Sequence, residues 1–334
     1  MENTTNAKTQ YKCNPDAVNV FFASDDKYIP YLEVSLASLF ENCDRDTEYD
    51  VHILTSGISR GGVREVKRTV GKNIKVIVDD VTEYIEPVKE ALGVRLRDYY
   101  SESIYFRLFI ASMYPELHRA VYLDSDIVLL DDVARLFNTD LEGAVLGAVT
   151  DESVISTPVF CDYVTGYIGM KQAEDYFNSG VLVMDLDRFR EERVLEKFLY
   201  LLREYNFPTV APDQDYLNFL TAGKVKLLDA GWNKHAIPGR DIDRDRLRLV
   251  HFNMFNKPWH YSDVPYEELF WHYAEKTPSL GALLEAREGY TDELRARDME
   301  AGGRLLASAE EIYRSETPLY ITASGALARL YADA

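Results

Sequence analysis

Residues 120–130 read Ala-Val-Tyr-Leu-Asp-Ser-Asp-Ile-Val-Leu-Leu. This run begins as a buried strand and is interrupted by two aspartates. Carboxylates flanked by core strand are expensive unless something compensates them. Residues i and i+2 of an extended segment point to one side. Asp124 and Asp126 can therefore share one divalent cation, which could neutralise a diphosphate. The bare spacing is common in this chain, recurring at Asp44/Asp46, Asp185/Asp187, Asp213/Asp215, Asp241/Asp243 and Asp243/Asp245. Only Asp124 and Asp126 sit directly between two core-type runs. The bland alternative is a pair of strand-end aspartates capping loop amides.

The surrounding pattern sets the fold class. Residues 18–23 (VNVFFA), 49–55 (YDVHILT) and 74–78 (IKVIV) read as strands. Between them, residues 31–43 and 63–70 carry apolar positions at helical spacing. This βαβαβ order implies an α/β fold with a mainly parallel sheet flanked by helices. Residues 103–113 read as a dense apolar helix stopped by Pro115, and residues 144–149 and 180–185 as further strands. A helix is expected over 191–205, and a charged loop over 233–248 around Pro238 and Gly239. We expect a tail over residues 1–17, an α/β domain over 18–266 and a small helical appendage over 267–334.

Composition excludes several classes. With 37 Lys+Arg against 56 Asp+Glu, the formal charge is −19, which argues against nucleic acid as a partner. An anionic substrate would need a local cation. Three cysteines in 334 residues cannot make a disulfide scaffold. No apolar run approaches the ~20 residues of a membrane span, and the polar start has no apolar signal-peptide segment. The expected location is the cytoplasm, with peripheral contact at the inner membrane left open.

A second cluster follows at Leu249-Val250-His251-Phe252 and Asn256-Lys257-Pro258-Trp259-His260. One imidazole with carboxylate oxygens suits Mn²⁺ better than Ca²⁺. Lys257 could hold a phosphate. A lone histidine after a strand is otherwise a satisfied, half-buried side chain.

Six ordered blocks then carry a resemblance: FFASDDKY, YFRLFIASMYP, VYLDSDIVLLDD, YFNSGVLVMDL, PDQDYLN and HFNMFNKPWH. Together they resemble glycosyltransferase family 8, retaining enzymes of GT-A type that include bacterial lipopolysaccharide glucosyl- and galactosyltransferases. The resemblance runs from about residue 18 to residue 259. It implies a Rossmann-like GT-A domain that moves a hexose, glucose or galactose by family frequency, from a UDP-sugar to an acceptor hydroxyl. It implies Asp124, Asp126 and His251 as ligands of Mn²⁺ or another divalent ion such as Mg²⁺. It implies Lys257 on the diphosphate, and Ala23, Asp25 and Tyr28 around uracil and ribose. Arg107 would reach the donor sugar and phosphate, with Ser125 inside the DxD. Asp151, Asn178, Ser179, Asp213 and Gln214 would surround the transferred sugar, with Gln214, Asp213 and Asp151 nearest the chemistry. The implied partners are a UDP-sugar and a carbohydrate or glycolipid acceptor of cell-envelope or lipopolysaccharide type.

There are departures. The family often has Asn where this chain has Lys27, and a Gly where it has Met254-Phe255. The C-terminal segment lacks a basic, aromatic membrane-binding stretch. Its helices could pack on the core or on a second copy, so a homo-oligomer is left open. Tyr99 and Tyr100 are candidates for a lid over the site. The reading in a different class is a non-catalytic module that binds a nucleotide sugar or glycan and recruits a partner through its helical tail.

Overall fold

The computed structural model describes residues 13–92, 102–315 and 317–332. The Tyr99-Tyr100 pair lies outside the described residues. Of the tail expected over 1–17, residues 13–17 have a defined place: the Asn14 backbone N–H donates to Asp50 at 3.1 Å, and Ala17 is buried.

The chain opens with β1 (Val18–Ala23), α1 (Ile29–Asn42), β2 (Tyr49–Thr55), α2 (Arg60–Arg68), β3 (Ile74–Asp80) and α3 (Thr82–Leu92). The expected apolar helix over 103–113 divides into a 3₁₀ helix, Glu102–Phe109, and a single turn, α4 (Ile110–Met113). The apolar run with its two aspartates also divides, into β4 (Arg119–Leu123) and β5 (Ile127–Leu129). Next come α5 (Val133–Phe137), β6 (Leu146–Thr150), α6 (Glu152–Ile155) and α7 (Pro158–Tyr163), which runs into a π turn, Val164–Ile168. β7 (Phe177–Asp185), α8 (Leu186–Glu191), α9 (Val194–Glu204), α10 (Pro212–Leu220) and β8 (Val225–Leu227) follow. The helix expected over 191–205 is therefore α9 alone, with the end of α8 before it. The segment expected as a loop over 233–248 begins with a short strand, β9 (Lys234–His235). Beyond it lie β10 (Leu249–His251), α11 (Glu267–Ala274), α12 (Leu280–Glu288), α13 (Asp292–Tyr313) and α14 (Leu319–Ala332).

The main sheet has seven strands in the order β3-β2-β1-β4-β7-β6-β8. Every neighbouring pair is parallel except those made by β7, which runs against β4 and β6. Along β1, Phe21 enters one core and Val20 and Phe22 enter another, so the central strand is covered on both faces. Strand order reverses at β1, between β2 and β4. Ligands of open α/β sheets bind beside such a point, outside the carboxyl ends of the strands.

β5 belongs to a second sheet of three strands, β5-β10-β9. Asp124, Ser125 and Asp126 are thus the junction where the chain leaves one sheet and joins another. That is why an apolar run is broken there by polar residues. The four C-terminal helices are seated in the same cores as the sheet. Phe270 and Leu283 pack with Trp259, while Ala309, Ile312, Leu319, Ala323 and Ala326 join the cluster containing Tyr122 and Phe177. Among the described residues no helix is long and apolar enough to cross a membrane.

Candidate active site

The junction is pinned from three directions. Ser125 Oγ donates to the Ala23 carbonyl at 2.8 Å, tying the ends of β4 and β1 together. Ser35 Oγ on α1 lies 2.9 Å and 2.8 Å from the carbonyls of Ser125 and Ile127. The Asp124 N–H donates to the Gly180 carbonyl at 2.8 Å. With the backbone fixed, both aspartates face β10. His251 Nε2 lies 3.2 Å from Asp126 Oδ1 and 3.8 Å from Asp124 Oδ2. One ligand atom from each of the three residues falls within 4.8 Å of the others.

The hydrogen bonds decide what His251 offers. The Gly180 backbone N–H donates to Asn178 Oδ1 at 2.9 Å, which fixes that amide's orientation. Asn233 Nδ2 donates to the same oxygen at 2.9 Å, leaving Asn233 Oδ1 2.9 Å from His251 Nδ1. An amide oxygen can only accept, so Nδ1 carries a proton and Nε2 is the nitrogen that faces the aspartates. This is how a metal-ligating imidazole is held. Two carboxylates and one imidazole nitrogen fit a divalent cation such as Mn²⁺.

Gly180 also has a steric role. A β-carbon there would fall 2.4 Å from His251 Cε1 and 2.5 Å from Asp124 Oδ2. Only glycine lets β7 approach this closely.

Two cations balance the acids. Lys257 is buried and forms an ion pair with Asp126 Oδ2. Burial alone would raise the Asp126 pKa, but Lys257 and His251 hold it well below the usual carboxylate range. Arg107 donates to Asp124 Oδ1 at 3.0 Å, to the Ser179 carbonyl and to Ser179 Oγ at 2.9 Å. Its Nε lies 3.3 Å from Asp213 Oδ2. Burial opposes the Arg107 charge, yet the carboxylates around it, Asp124 first, hold the proton more tightly than usual.

The remaining polar residues form one network. Asp151 Oδ1 caps α6, accepting from the N–H groups of Ser153 and Val154 at 2.9 and 3.1 Å. Its Oδ2 accepts from Asn178 Nδ2 and Gln214 Nε2, both at 3.0 Å. Gln214 Oε1 accepts the Ser179 N–H at 2.8 Å. Asp213 Oδ2 accepts from Ser179 Oγ at 3.0 Å, and burial raises the Asp213 pKa.

These residues divide two cavities that share Ile104, Arg107, Asp124 and Asp126. One cavity, of about 330 Å³, is lined by Ala23, Asp25, Lys27, Tyr28 and Ser125. The other, of about 210 Å³, is lined by Asp151, Asn178, Ser179, Asp213, Gln214 and His251. Every site residue expected from the sequence except Lys257 thus lines one or both cavities, and Lys257 reaches the shared Asp126. Asp25 Oδ1 is engaged in its own turn, accepting the N–H groups of Lys27 and Tyr28 at 2.9 and 3.0 Å.

Sequence reasoning missed Asn233, Gly180 and His235. Asn233 opens the segment expected as a charged loop, where nothing in the local pattern marks it. His235 is fully buried with its ring edge-on to His251, and burial lowers its pKa to about 4.

The sequence pattern that defines glycosyl transferase family 8 matches residues 19–263. The chain is 26% identical over 258 residues to a putative glycosyltransferase of Haemophilus influenzae, a match covering 76% of this chain and 73% of that one. It is 26% identical over 270 residues to lipopolysaccharide 1,2-glucosyltransferase of Escherichia coli, covering 76% and 77%. Among solved structures it is similar to the galactosyltransferase LgtC in complex with donor and acceptor sugar analogues. That likeness has a TM-score of 0.60 at 26% identity, over 78% of this chain and 96% of that one. With the fold, the junction aspartates and these likenesses in agreement, the chain belongs to glycosyl transferase family 8 and is a glycosyltransferase.

Proposed function

We propose that this glycosyltransferase moves a hexose, glucose or galactose, from a UDP-sugar to an acceptor hydroxyl with retention, in the synthesis of a cell-envelope or lipopolysaccharide-type glycan. It would act in the cytoplasm. The observation that carries this reading is the convergence of Asp124, Asp126, His251 and Lys257 where the two cavities meet. Asp124, Asp126 and His251 would hold a divalent cation, which when bound supplies positive charge against the diphosphate leaving group. Lys257 would exchange part of its contact with Asp126 for a phosphate oxygen. In a chain of net charge −19, such local cations are what make an anionic donor tolerable. Ala23, Asp25 and Tyr28 would hold the uridine, and the network of Asp151, Asn178, Asp213 and Gln214 the sugar hydroxyls.

The carboxylates bear on stereochemistry. Double displacement needs a carboxylate nucleophile at the anomeric carbon. Asp151 already accepts four hydrogen bonds, and Asp213 Oδ2 is held by Ser179 and Arg107. The Gln214 amide oxygen is occupied by a backbone N–H. This favours a front-face route. The bond from the anomeric carbon to the phosphate oxygen breaks, the acceptor oxygen bonds that carbon from the same face, and its proton passes to a phosphate oxygen. Mass spectrometry of enzyme quenched during turnover should find no glycosyl adduct. An adduct on Asp213 or Asp151 would overturn the route.

A further inference from the structure

The cavity that holds the sugar-binding network has a second kind of wall. Its polar lining comes from the ends of β4, β6 and β7 and from α10. Its apolar lining includes Val154, Phe160, Val164, Met254 and Leu305, with Ile104 shared between the two cavities. Three of the elements behind it adjoin one another: α13 packs along α7, and a β-carbon at Gly302 of α13 would stand 3.7 Å from the Phe255 ring. Leu305 is half-buried, and Met254 is 47% exposed at the cavity's edge. Leu305 lies beyond the family-matched segment, which ends at residue 263. The C-terminal helices therefore bring a side chain of their own to the site.

A UDP-hexose has no use for such a wall. Its diphosphate and hydroxyls are polar, and the carboxylates and amides nearby suit them. The apolar surface is left for the other reactant. We propose that it is an acceptor subsite, and that the acceptor is a glycoside whose apolar aglycone, alkyl or aryl, lies close to the accepting hydroxyl. This rests on the transferase reading above. Covering apolar surface is worth about 0.8 kcal/mol per methylene. Two or three buried methylenes would therefore change the acceptor's KM at least tenfold.

The test compares methyl and octyl glycosides of glucose and galactose as acceptors, below the micelle-forming concentration, with UDP release from the donor alone followed in parallel. The expected result is a KM at least tenfold lower for the octyl glycoside. Leu305→Asn should shrink that preference at least threefold, and Leu305→Met should retain it, with thermal unfolding confirming that both variants fold. Equal KM values in an enzyme that does transfer sugar would overturn the subsite. So would a preference untouched by a folded Leu305→Asn variant. No UDP release from any donor would instead overturn the transferase reading, and this inference with it.

Discussion

Asn233 illustrates how much of the site depends on side chains that need not touch substrate. Its amide is oriented by Asn178, which is oriented in turn by the Gly180 N–H, and the chain ends with the proton on His251 Nδ1. Removing such an outer partner typically weakens a metal site ten- to a hundredfold. Asn233→Ala should therefore bind Mn²⁺ at least tenfold more weakly by calorimetry. An unchanged affinity would mean the imidazole is held by other contacts. At this scale the sequence was legible wherever a residue carried unusual chemistry in an unusual setting, as Asp124 and Asp126 do within an apolar run. It was silent on Asn233 and Gly180. Their roles depend on contacts between segments distant in the chain, 55 residues apart for the Asn178–Asn233 hydrogen bond.

Elements show where local rules were overridden. The apolar run over 120–130 reads as a strand interrupted by two aspartates, and the structure divides it there between two sheets, which periodicity cannot reveal. The run over 103–113 kept its burial but took mostly 3₁₀ geometry, with the Arg107 guanidinium drawn to Asp124 and Ser179. The main sheet, by contrast, was readable from β1 to β3, because β1 is a nearly continuous apolar run covered on both faces and β2 and β3 keep apolar residues at alternate positions. Met254 marks a conflict between the two levels. It has φ +56°, a conformation that costs an L-residue roughly 1–2 kcal/mol. Met254→Gly should stabilise the protein by a net of about 0.5–1 kcal/mol in urea unfolding, after glycine's own entropy cost. A loss of stability would show that the Met254 side chain contributes more than its backbone costs. The segment just beyond it makes a pH prediction. His260 stacks on Tyr290 at 3.8 Å, and burial lowers its pKa to about 4. A depressed folded pKa means that the unfolded chain binds the proton more readily. The resulting stability is fully present above about pH 6.5 and is lost as pH falls toward 4. Because the ring is only partly buried, the expected loss between pH 7 and 5 is on the order of 1 kcal/mol. His260→Phe should flatten that part of the stability–pH curve, and a curve parallel to wild type would contradict this assignment.

Across the whole molecule, a strongly acidic chain places two of the three buried cations among the described residues beside Asp124 and Asp126, while the third, Lys234, pairs with Glu152. Arg107 and Lys257 stand at the junction of two sheets, paired with Asp124 and Asp126. The C-terminal helices close around that junction rather than standing apart, and Leu305 carries their contribution into the cavity. The sequence announced these helices through their period. It did not say what they cover, because their apolar faces would suit a core or a second copy equally well. The central claim is that Asp124, Asp126 and His251 form a cation site that activates a UDP-sugar. It is tested most directly by UDP release from a panel of UDP-sugars, with Mn²⁺ and with chelator, for wild type and Asp126→Ala. The account predicts release from one hexose donor that needs Mn²⁺ and is at least a hundredfold slower in the variant, about 2.7 kcal/mol of lost transition-state stabilisation. Release at equal rates with chelator, or from the Asp126→Ala enzyme, would contradict it.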